Sequence, residues 1–107
     1  MIRHIVMWKL KTQDNGKLPA EQALDLKMKL EALKNHISQI KYLEVGINMP
    51  DSPYDNFDCI LDSVFENTAD LEIYLKHPLH KEVADWISTV RELRAAVDYP
   101  YDPGIHR

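Results

Sequence analysis

Apolar positions recur along this chain with two different rhythms, and the places where one gives way to the other mark its elements. Residues 2–11, IRHIVMWKLK, fit no helical period and carry Ile5, Val6 and Trp8, which predicts a strand. One face of that strand is Ile2, His4, Val6, Trp8 and Leu10; the other is Arg3, Ile5, Met7 and Lys9. The second face is apolar at its centre. A strand with Ile5 and Met7 there needs cover on both sides, so this face is expected to meet another subunit.

Residues 12–18 form a polar loop around Asp14-Asn15-Gly16, and Pro19 suits the first turn of a helix. Ala23, Leu26, Leu30, Leu33 and Ile37 then follow at steps of three and four, predicting an amphipathic helix over about 19–36 with Glu21, Asp25, Lys29 and Lys34 in water. Residues 40–48 read as a second strand, PDSPYDN (50–56) as turn chemistry, and residues 57–66 as a third strand by their alternation. Asn67 or Thr68 can cap a short helix that buries Leu71, Tyr74 and Leu75. Pro78 stops it, because proline disfavours the helical region for His77 before it. A third helix restarts near His80 with Val83, Trp86, Ile87 and Val90 at helical spacing, and residues 94–99, RAAVDY, close as a fourth strand. The tail from residue 101 to 107 has the composition of a loose end.

The order β-α-β-β-α(α)-β predicts an α+β, ferredoxin-like domain over residues 1–100: a four-stranded antiparallel sheet with helices on one face. Composition changes this picture little. The 107 residues suffice for one domain with a real core, and a formal charge of −4 without a basic cluster speaks against nucleic acid or an anionic membrane as partner. The single cysteine, Cys59, allows no internal disulfide and lies in an apolar run, as a small buried thiol does. The N-terminal apolar run is short and broken by charge, so a cytoplasmic protein is the expectation.

"MIRHIVMWKLK", "YLKHPLHKEV" and "AAVDY", in this order and at this length, resemble the stress-responsive dimeric α/β-barrel domain family, known as Dabb. The most specific piece is HPxH between two helices together with a first-strand histidine. The resemblance covers nearly the whole chain and implies a homodimer in which two four-stranded sheets face each other and close a barrel, with helices outside. It also implies candidate site residues. In the plant olivetolic acid cyclase group, which closes a poly-β-ketone by an aldol step without a cofactor, the catalytic histidine matches His80, the catalytic tyrosine Tyr74 and the first-strand histidine His4. Where that group brings aromatic residues from its first helix to the acyl cavity, this helix offers Leu26 and Leu30.

Physical chemistry gives these residues plausible roles. A histidine opening a helix is disfavoured as imidazolium, and neutral imidazole is the form a general base needs. Tyr74 can donate to a carbonyl or enolate oxygen, and His4 can orient its neighbours. The plainer alternatives are that His77 bonds the orphan carbonyls of the second helix, that His80 caps or packs, and that Tyr74 and His4 are satisfied core groups. His77 and Pro78 read best as a structural helix break. His77, His80 and His4, with Glu82 or Asp85 nearby, make a poor metal set, so neither metal nor cofactor is expected. Glu31/Lys34 and Asp70/Glu72 read as solvated or capping charges, and His36 and His106 as exposed. Three functional classes follow: an enzyme acting beside a carbonyl with His80 as base; a dimer holding a small apolar ligand, unchanged, in a cavity lined by Val6, Trp8, Leu30 and Trp86; or a purely structural dimer.

Overall fold

A computed structural model of the chain describes residues 1–104. The elements are β1 (Ile2–Leu10), α1 (Pro19–Ala32), a 3₁₀ turn (Leu33–Asn35), β2 (Ile40–Ile47), β3 (Cys59–Phe65), α2 (Thr68–Lys76), α3 (Pro78–Val90) and β4 (Arg91–Pro100). The strands form one sheet in the order β2-β3-β1-β4, antiparallel at every pairing. This is the ferredoxin-like α+β arrangement expected from the element order.

Register fixes the two faces. β1 buries His4, Val6, Trp8 and Leu10 toward the helices, and β3 presents Cys59, Leu61, Ser63 and Phe65 beside them. Leu26 and Leu30 of α1 seal the layer from above. Burying either leucine contributes about 1.5–3 kcal/mol. The opposite face carries Ile5, Met7, Ile60, Val97 and Tyr99 with no helix over them; Val97 is 54% and Tyr99 41% exposed.

Several element ends differ from the expectation. α1 stops at Ala32, and the last turn tightens into the 3₁₀ turn, which keeps Leu33 buried. Asp58 lies before β3 and locks it to β1 instead of extending it: its N–H donates to Trp8 O at 2.8 Å and its carboxylate accepts from Leu10 N–H at 2.7 Å. α3 begins at Pro78, two residues before His80, and β4 is longer at both ends than 94–99. Tyr101 is held in place: its N–H donates to Met1 O, and Arg3 lies over its ring at 4.6 Å. His106 lies outside the described residues.

Two charges placed in water are engaged. Glu31 accepts from Lys27 Nζ and from Val45 N–H, so α1 reaches down and satisfies part of the β2 edge. Asp25 pairs with Lys17. Gly16, at φ +85°, turns the loop before α1, where a side chain would be strained.

Candidate active site

The site is built around one extended residue. Because Pro78 follows it, His77 takes φ −63° and ψ 134°, and this single residue ends α2 and begins α3. Its ring does not bond the carbonyls of α2, as expected; Nδ1 instead accepts the N–H of Leu79 at 3.1 Å and caps α3. The turn sets α3 back against the end of α2. His80 Nδ1 then lies 3.1 Å from Leu75 O. A carbonyl can only accept, so Nδ1 carries the proton, and the lone pair of neutral His80 is on Nε2.

His80 stacks at 4.4 Å, ring to ring, on Tyr74. Tyr74 is fully buried, and its hydroxyl has no hydrogen-bond partner among the described residues. His4 stands edge-on to Tyr74 with centroids 6.3 Å apart. From behind, His4 Nδ1 meets Asp98 Oδ1 at 2.5 Å, while Ser63 Oγ donates to the His4 carbonyl. Asp98 is the direct β4 partner of His4.

His4, Tyr74 and His80 all open into one cavity of about 230 Å³ between the sheet and the α2–α3 corner. Its apolar wall includes Val6, Trp8, Leu30, Leu61, Leu75 and Ile87. Ser88, Arg91 and Arg94 complete the lining toward β4.

The environment tunes the two candidate reacting groups in useful directions. Burial is the main cause that lowers the pKa of His80; the bond to Leu75 O works against it, and His4, Arg94 and His77 add to the lowering. Desolvation, rather than the dipole of an opening helix, leads this lowering. Burial alone pushes the Tyr74 phenol up, so it remains a donor. Cys59 is pushed up to about 12 by burial and stands outside this cavity as an unreactive thiol.

The structure brings the sequence-picked trio together and separates other residues from it. Leu26 is wholly in the core and does not reach the cavity. Trp86 faces a separate groove between α1 and α3, beside His36 and under Lys29, whose Nζ lies 4.9 Å from the ring centre. Trp86 and Ile87 are adjacent, and one residue is 100° of helix, so their side chains point to different spaces. Asp98 and Arg94 were missed, although strand alternation through 94–98 places both on the His4 face. Among the described residues no group of three or more His, Cys, Asp or Glu side chains is gathered to hold a metal. No helix among them is long and apolar enough to cross a membrane.

Known structures share this fold. A dimeric ferredoxin-like protein of unknown function from Bacteroides fragilis is 36% identical, with 94% of this chain and 95% of that chain covered and a TM-score of 0.76. A dimeric ferredoxin-like protein of unknown function from Thermobifida fusca (20% identical, 94% and 90% covered, TM-score 0.79) and a hydroxynitrile lyase from Passiflora edulis (22% identical, 95% and 94% covered, TM-score 0.78) share the fold. No curated protein matches the chain. The sequence fits the profile of the Stress responsive A/B Barrel Domain over residues 2–101, and the chain belongs to that family.

Proposed function

We propose that this protein is a homodimer that removes a proton from the carbon beside a carbonyl in a small molecule bound between sheet and helices. One observation carries the reading: a buried phenol with no partner among the described residues stands against a histidine whose Nδ1 is tied to a backbone carbonyl. A buried unbonded hydroxyl is costly, and a ligand oxygen would relieve that cost. Tyr74 then donates to the carbonyl oxygen as charge grows there, and Nε2 of His80 accepts the carbon-bound proton. His4, steadied by Asp98, orients the group, and His80 returns the proton it took. The polar trio matches the site positions of olivetolic acid cyclase-type members, and cyclisation and isomerisation can both begin with this step.

The bare sheet face supports the dimer. Ile5, Met7, Ile60, Val97 and Tyr99 share this face, with Ile60, Val97 and Tyr99 exposed, and an exposed apolar face suits contact with another protein surface. The Bacteroides fragilis protein is itself described as dimeric. Two such faces in contact would close the barrel.

Deuterium incorporation tests the chemistry without knowledge of the natural substrate. Small ketones, among them phenylpyruvate, are incubated with the protein in D₂O and followed by NMR. Exchange that depends on the protein and collapses in His80→Ala and Tyr74→Phe is expected. Equal exchange in wild type and both variants would overturn the reading in favour of a dimer that holds its ligand unchanged.

A further inference from the structure

The wall of the cavity is lopsided in its charge. It presents two arginines, two histidines, one tyrosine and one serine, and no carboxylate. The whole chain has 17 acidic residues against 13 basic ones, so this wall runs against the protein's balance. Among the described residues neither Arg91 nor Arg94 takes part in an ion pair. Asp98, on the same sheet face, is occupied by His4.

Each arginine has a plainer explanation to set aside. Arg91 follows the last turn of α3, where the helix dipole favours a cation, and that alone accounts for its charge. Arg94 has no such excuse. It sits in an edge strand, but on the inward face opposite Trp8, so it does not merely guard the strand edge against pairing. Its charge also bears on His80. Arg94 is exposed at the cavity's mouth, without a counter-charge among the described residues, and its planar fork suits a carboxylate entering there.

We propose that the ligand of this cavity is a small oxo acid, with its carboxylate on Arg94 and Arg91 and its keto oxygen on Tyr74. The inference deepens the proposed function and rests on it for the role of Tyr74. In the step that follows, the C–H bond next to the ketone breaks and its proton goes to Nε2 of His80. The electron pair becomes the enolate C=C, with the charge on the oxygen that Tyr74 bonds. Delivery of the proton to oxygen gives the enol; when the proton on Nε2 first exchanges with solvent, delivery of a deuteron to carbon gives the exchanged acid, so nothing is oxidised or reduced. The cavity volume, below the usual range of about 300–1,000 Å³ for ligand pockets, limits the acid to a compact one.

Binding separates this inference from the chemistry. Trp8 lines the cavity, and in a Trp86→Phe background it is the only tryptophan, so its fluorescence reports occupancy. The probes are 3-phenylpropanoate, which has no ketone, its methyl ester, and phenyl phosphate. The acid is expected to bind at least about tenfold more tightly than the ester, as charge-assisted bonds require. Arg94→Met should abolish that preference, Arg91→Met should reduce it, and His80→Ala should leave it intact. Equal binding of acid and ester, binding of neither, a preference that survives in the double Arg91→Met/Arg94→Met variant, or tighter binding of phenyl phosphate would each overturn the proposal. Acid preference without deuterium exchange in phenylpyruvate would strike at the proposed chemistry alone. Exchange in a neutral ketone without acid preference would strike at the oxo acid alone.

Discussion

The two faces of the sheet treat polar groups in opposite ways. On the outer face Arg3 is fully answered: it forks onto both oxygens of Asp62 at 2.8 Å across β1 and β3, amid exposed apolar side chains. On the inner face the core is dry and close-packed, yet the phenol of Tyr74 is left without a partner among the described residues, and Arg91 and Arg94 without a counter-ion. A surface with satisfied polar groups and bare apolar area suits another protein surface. A buried phenol and two exposed arginines at one cavity suit a small molecule rich in acceptors. On the proposed reading, one four-stranded sheet would serve two kinds of recognition on its two faces.

The largest expected effect breaks the outer face. Met7→Glu or Val97→Glu would bury an unpaired carboxylate in the proposed interface at a cost of about 3 kcal/mol or more. Light scattering at micromolar concentration should then find monomers where wild type gives dimers; a wild-type monomer would remove the proposed role of this face. The two histidines of HPLH sharpen the inner side. Loss of a general base in His80→Ala should slow proton exchange by roughly 10²–10⁴-fold. His77→Ala should leave the rate within a few-fold and cost about 1 kcal/mol of stability in denaturant melts, with His77→Asn restoring it, because that ring only caps α3.

Tyr74→Phe distinguishes a reacting phenol from a packing one. Exchange should fall by roughly 10²-fold, as loss of an oxyanion donor does. Stability should hold or rise by up to about 1 kcal/mol, since an unbonded buried hydroxyl is removed. A large loss of stability would mean that the hydroxyl is bonded in solution. The smallest effect is on pH. The pKa of His80 is lowered, chiefly by burial, so the acid limb of the exchange rate should lie below the ordinary histidine value of about 6.5. Removing the nearby cation in Arg94→Met favours imidazolium and should move that limb upward. A downward move would contradict the arrangement of charges.

Much of this was readable in the linear chain. Alternation in β1 placed His4 with Val6 and Trp8, and Ile5 with Met7, because successive strand residues point to opposite faces whatever the fold. Pro78 announced the helix break for a reason equally local. Element ends were less legible. Asp58 could as well have begun β3 as locked it, and the choice depended on Trp8 and Leu10, some fifty residues away. The pocket wall was read partly wrong for the same kind of reason: Leu26 and Trp86 have the right periodicity, but the relative rotation of α1 and α3 turns one into the core and the other into a separate groove.

By itself, then, the sequence determined the elements, their order, the two faces of the first strand and the residues with chemistry to offer, since these follow from period, proline and side-chain type. Tertiary structure alone decided the rest. It set β4 beside β1, so that Asp98 meets His4 and Arg94 joins the cavity wall. It also folded α3 back on α2, so that Leu75 O accepts a hydrogen bond from Nδ1 of His80 and the ring's lone pair is left on Nε2. Which partner a polar group finds, or fails to find, is a matter of long-range packing, and at this site that packing sets the chemistry.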